Sequence, residues 1–158
     1  QQAEEMIYIG LDPGAISGAW AAIDHNNKLI GCGDIPSVDG RISAIELYRI
    51  IKGCVLSGDT AFIAVESVHS MPKQGVASTA KFMRAAGAIE ATAELTRFPF
   101  MLVTPQRWKK HFGLIGSDKK VSLELARELW LEAPLHLVKH HGRADALLMA
   151  LWLKDTHE

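Results

Sequence analysis

Three acids, Asp12, Glu66 and Asp145, stand where a carboxylate could do chemistry. Asp12 follows the apolar run Met6–Ile9 and lies within Gly10-Leu11-Asp12-Pro13-Gly14. A β-branched apolar run bounded by turn residues reads as a buried strand. Open α/β sheets bind ligands beyond the carboxyl ends of their strands, where Asp12 would sit. Asp-Pro-Gly is also ordinary turn chemistry. On this stretch alone a turn aspartate and a metal- or phosphate-handling aspartate are equally good readings. Glu66 sits near the end of a second such run, Thr60–Ser67. Asp145 shares one helix face with Leu148, Met149 and Trp152, at i, i+3, i+4 and i+7,. Those partners are large and apolar, so the face points inward and carries the carboxylate with it. An aspartate in a first helical turn also gains from the dipole there, whatever else it does.

The three acids become informative together. If they converge, each pair of carboxylates about 4 Å apart repels by roughly 4 kcal/mol at an effective dielectric of about 20. A domain with about 5–15 kcal/mol of net stability could not carry that cost unrelieved. Divalent cations relieve it, and hard oxygen donors without cysteine favour Mg²⁺, with Mn²⁺ as a substitute. Two such ions about 3.5–4 Å apart suit phosphodiester hydrolysis.

The elements that would position the acids follow from patterning. Strands are expected from the run Met6–Ile9, with Asp12 near its carboxyl end, and at Ser17–Asp24 and Leu29–Ile35, with His25–Lys28 as a hairpin turn and Pro36–Gly40 as a loop,. A helix follows over Arg41–Leu56, then a parallel strand over Thr60–Ser67,. A long alanine-rich helix occupies Val76–Arg97 and a further strand Phe98–Thr104. Pro105 opens a short helix, Asp118–Leu131 an amphipathic one, and about Gly142–Lys154 the last,. The order describes a mixed sheet with helices on its faces. Trp20, Trp108, Trp130 and Trp152 read as core.

A chain of 158 residues with 48% hydrophobic and 22% charged residues suits one globular domain, 1–158, with residues 1–5 expected to be disordered,. The longest apolar run, Ala146–Leu153, is too short for a bilayer span, so no membrane association is expected,. No secretory leader opens the chain, and Cys32 and Cys54 lack metal-ligand spacing,. A cytoplasmic location is therefore expected. Net charge is −1, but between His69 and Arg143 twelve lysines and arginines face six acids. A basic portion on an otherwise acidic chain suits an anionic partner touching one face.

With GLDPG, AVES and RADALLMA at these places, and GLIGSDKK between the last two, the chain resembles the RuvC-type Holliday junction resolvases of the RNase H-like superfamily. The likeness runs from about Met6 to Trp152. It implies an RNase H-like α/β fold, with a mixed five-stranded sheet of three antiparallel strands followed by parallel strands, and helices on both faces. It implies a Mg²⁺-dependent homodimeric endonuclease that nicks four-way DNA junctions symmetrically, in a bacterium or encoded by its phage, with a branch-migration helicase as a possible partner. Asp12, Glu66 and Asp145 would be the metal-binding catalytic acids. Lys109 and Lys120 match basic positions at the scissile backbone, Lys120 as a catalytic one, and Val76–Arg97 matches the dimer helix. Lys73, Lys81, Arg84, Lys110, Lys119 and Arg143 are further candidates for DNA contact; singly, each is better read as a solvated surface charge.

The match departs from the family in two places. The family carries Asp or His three residues before the last acid, where this chain has Gly142. His141, four residues before Asp145, shares that face and is the expected substitute, as ligand or proton carrier. A solvated loop histidine is the competing reading for His141 and His140. The loop after Glu66 reads VHSMPKQG, without the family's wedging aromatic, leaving His69 and Met71 to stack on or wedge the junction. Three other functions stay open: a non-catalytic module for branched DNA, an RNase H-like nuclease acting on another nucleic acid, and half of a sugar kinase or actin-like ATPase. The last needs two lobes, and this chain holds one copy of the turn motif.

Overall fold

The computed structural model describes residues 3–14, 17–67 and 75–157. Its main sheet has five strands in the order β3-β2-β1-β6-β7, from β1 (Met6–Asp12), β2 (Ala19–Ile23), β3 (Leu29–Asp34), β6 (Thr60–Glu66) and β7 (Phe100–Val103). β1, β2 and β3 pair antiparallel, and β6 and β7 join β1 in parallel, as the sequence pattern implies.

Alternation along the strands sorts the core into two halves. Odd residues of β1 (Ile7, Ile9, Leu11) pack with Ile63, Val65, Leu47, Ile51 and Ile89, against α1 (Ala44–Cys54) and α2 (Val76–Leu95). Even residues of β1 and β6, among them Tyr8 and Ala64, face α5 (His141–His157) with α4 (Lys119–Leu129) behind it. In register, Leu11 lies opposite Val65. One residue further on, Asp12 and Glu66 continue the even row and leave the sheet side by side on the α5 face.

Gly10 sets how closely α5 can approach that row. A Cβ there would sit 2.0 Å from the Ala146 carbonyl oxygen, so the helix backbone rests directly on β1. The last helix is also more deeply enclosed than a one-faced pattern implies: Ala144 and every residue of Ala146–Leu153 are buried. It passes between the sheet and α4, so it has no solvent face over this length.

Two boundaries differ from the sequence expectation. Pro36–Gly40 is not simply a loop, and Arg41 does not begin a helix. Ser37–Val38 (β4) and Arg41–Ile42 (β5) form a small hairpin. Asp39 and Gly40 at its tip have φ of 53° and 75°. Two successive positive φ angles are the geometry of a tight hairpin turn, and Asp-Gly is the dipeptide that favours it. The helix starts instead after Ser43, whose hydroxyl accepts the Glu46 N–H at 3.3 Å,. Among the tryptophans, Trp108, Trp130 and Trp152 are buried. Trp20 is half-buried, its ring lying over Gly31 and Gly33 of β3, where a side chain would collide with it.

Candidate active site

The carboxyl ends of β1 and β6, the start of α5 and the first turn of α4 enclose a cavity of about 190 Å³. Asp12, Glu66 and Asp145 all line it, with His141, Lys109 and Lys119. The sequence signals for the three acids were independent, and the fold brings them together.

Asp12 makes the turn contact that its sequence suggests. Its Oδ1 accepts the Gly14 N–H at 3.0 Å, as a turn aspartate does,. Its Oδ2 faces the start of α5, 3.6 Å from where a Cβ on Gly142 would lie. The side chain is buried, and burial together with the charges of Glu66 and Asp145 pushes its pKa well above the usual carboxylate range,.

Glu66 is held from the other side. Trp108 Nε1 donates to Glu66 Oε2 at 2.8 Å. That indole sits in α3 (Pro105–His111), which starts after Thr104, the residue following β7. Trp108 is core, as its composition suggests, but its N–H also fixes a candidate catalytic acid. Lys109 Nζ lies over the same indole, 5.6 Å from the ring centroid,. Burial raises the Glu66 pKa, while the Trp108 N–H and the Lys109 charge draw it back.

Asp145 is the third acid, carried into the cavity by α5. Its pKa is pushed up to about 7, first by burial and then by Glu66, with Lys109, Ser122 and Lys119 opposing. Its Oδ1 is buried with no hydrogen-bond partner among the described residues. A buried, unpartnered acceptor calls for a ligand the protein itself does not supply. His141 lines the same cavity, and burial followed by the Lys119 charge lowers its pKa, which favours the neutral imidazole that ligates metals,. His140 is different: it is buried, and its Nδ1 accepts the Leu137 N–H at 3.2 Å, closing the 3₁₀ turn Val138–His140.

Among the described residues, no group of three or more His, Cys, Asp or Glu side chains is arranged to hold a metal ion as it stands. The donor set still fits one. Three oxygen-donor side chains with raised pKa values, one with an orphaned oxygen, are what a hard divalent cation relieves.

The basic candidates separate. Lys109 and Lys119 line the acid cavity, and Lys81 and Arg84 line an adjoining cleft. Lys110 and Lys120 are exposed and line neither. Arg143 Nε donates to Asp34 Oδ1 at 2.9 Å and its Nη1 to the Pro134 carbonyl at 2.9 Å, so it ties α5 to β3 and to the segment before α5. His69, Met71 and Lys73 lie outside the described residues. Sequence reasoning missed the Trp108 bond and the place of Ser122 beside Asp145. The only signal for Ser122 was helical spacing, three residues beyond Lys119 and four beyond Asp118, and the Trp108 bond, across 42 positions, had none.

No family model matches the sequence. The structure of T. thermophilus RuvC in complex with a Holliday junction substrate matches with a TM-score of 0.66, over 96% of this chain and 97% of that one, at 14% identity. The chain has the RuvC fold. A second Thermus thermophilus RuvC structure matches with a TM-score of 0.59 at 17% identity, over 96% of each chain. In sequence, 50 residues are 50% identical to the chloroplastic Holliday junction resolvase MOC1 of Chlamydomonas reinhardtii, 30% of this chain. The match spans 6% of that protein's length. No helix among the described residues is long and apolar enough to cross a membrane.

Proposed function

We propose that this chain is a divalent-metal-dependent endonuclease that cuts four-way DNA junctions. One observation carries the reading: Asp12, Glu66 and Asp145 meet in one cavity at the carboxyl edge of the sheet, on the fold of a protein whose structure holds a Holliday junction substrate. Asp12, Glu66 and Asp145 would hold the ions, with His141 as a fourth donor in place of the side chain that Gly142 lacks. Mg²⁺, or Mn²⁺ in its stead, would supply the charge that keeps the acids ionised and activates water against the phosphodiester, two ions serving attack and departure.

The protein's own groups supply the rest. The Trp108 indole holds the Glu66 carboxylate in one orientation. Lys109 and Lys119 bring positive charge to the cavity wall, where a phosphate would need it. A neutral His141 can accept a proton at the cavity edge,. A junction with two-fold symmetry is cut evenly by two sites related the same way, so a homodimer is part of the proposal. α2 is the face proposed for pairing, since Val76 is 88% exposed and Met83 44%.

The test is incubation with a synthetic four-way junction, with and without Mg²⁺. Paired nicks only with the metal are expected, and Asp12→Asn should bind the junction without cutting it. The glycine facing Asp12 favours one rival, a non-catalytic module for branched DNA. Binding without nicks under any divalent ion would establish that rival instead.

A further inference from the structure

The acid cavity, at about 190 Å³, admits a phosphate group and ions but not a nucleotide,. A nucleic-acid strand cut there must continue elsewhere. A cleft of about 760 Å³ adjoins it, and the two share Gly14 and Phe82 as lining. The cleft lies toward the other face of the sheet. One wall is α2, through Lys81, Arg84 and Ala88; the other is the β4–β5 hairpin with Arg41, and Ile35 and Ile42 also line it.

Its charge is one-sided. Arg41, Lys81 and Arg84 line it, no Asp or Glu does, and none of the three cations has an ion pair among the described residues. The hairpin that presents Arg41 is braced at its base, where Ser43 N–H donates to the Pro36 carbonyl at 2.9 Å and Ile35 N–H to the Gly18 carbonyl at 2.8 Å. The turn at Asp39-Gly40 then fixes where the next residue, Arg41, leaves the backbone,. Apolar lining with cations on both walls is the chemistry of a channel for the sugar-phosphate backbone.

We infer that this cleft carries the strand leading away from the scissile phosphate, with Arg41 as a phosphate-binding residue facing Lys81 and Arg84 across it. This rests on the nuclease reading above and adds a path and a residue to it. The hairpin thereby becomes part of the binding surface, although none of its own residues lines the acid cavity.

The experiment measures junction affinity in Ca²⁺ across a series of salt concentrations for wild type, Arg41→Ala, Arg41→Glu and the remote control Arg49→Ala. Arg49 lies exposed in α1, paired with Glu46 at 2.6 Å. Losing one phosphate contact should weaken binding by about tenfold and reduce the slope of log K against log salt by about 0.7–0.9. Arg41→Glu should lose more, and Arg49→Ala should match wild type. In a second arm, a photocrosslinker on Arg41→Cys should capture nucleotides next to the nick. Wild-type slope and affinity for Arg41→Ala, with no capture near the nick, would overturn the inference while leaving the nuclease reading intact. A wild type that binds no junction even at low salt would overturn both.

Discussion

Removing the charge of Asp145 should stabilise the metal-free protein and destroy its response to metal. The unfolded carboxyl titrates near its ordinary value of 3.8, whereas in the fold it is pushed up to about 7. Below about pH 4 both states are protonated and the group costs nothing. As pH rises, the unfolded state loses its proton first, so folding stability falls through this window and the full penalty is present above about pH 7. At about 1.4 kcal/mol per pH unit the penalty is at most about 4 kcal/mol. For a chain of this size that is on the order of ten degrees in melting temperature. Asp145→Asn should therefore melt higher than wild type in EDTA at pH 8, and the gap should close at pH 4. The depressed pKa of His141 acts in the opposite sense, costing stability as pH falls below about 6.5, so the difference between the two proteins is the quantity to read,. Added Mn²⁺ should raise the wild-type melting temperature and leave Asp145→Asn nearly unchanged. The reasoning fails if the two proteins melt together in EDTA at every pH, or if Mn²⁺ stabilises both alike.

Trp108→Phe removes the N–H that holds Glu66 and should cost about 2 kcal/mol in urea unfolding,. It should also weaken Mn²⁺ binding by about 10–100-fold in calorimetric titration, and unchanged metal affinity would make the indole structural only. Gly10→Ala sets a methyl against the Ala146 carbonyl and should destabilise by about 3 kcal/mol or more in the same unfolding assay,. Cleavage by that variant should fall even where it remains folded, because α5 carries Asp145. Lys119→Ala should slow cleavage more than Lys120→Ala in single-turnover assays, since Lys119 lines the cavity and Lys120 does not; equal losses would show that both only dock the substrate.

Much of this molecule is written locally. The apolar runs ending near Asp12 and Glu66 specify strands, and strand parity alone sends both acids to one face once their register is known. Asp145 is legible because a helix of period 3.6 puts it on the line of Leu148, Met149 and Trp152. The β4–β5 hairpin was not legible: Asp39-Gly40 is a hairpin dipeptide, but strands of two residues each leave no alternation to read, so the segment passes for a loop. The helix start at Ser43 was obscured for the same reason: Arg41 and Ile42 fit a helical spacing as well as a strand.

Chain order by itself determined the sheet, its helices and the types of the three acids, because periodicity and turn chemistry act over a few residues. Tertiary structure decided what lies between distant segments. It chose Lys119 over Lys120 for the cavity, turned Arg143 to Asp34, brought the Trp108 N–H onto Glu66 across 42 positions, and laid α5 on Gly10. Each of these depends on the rotation of a helix about its axis or on one backbone resting on another. Such contacts are set by packing the whole core, and no short window of sequence contains them.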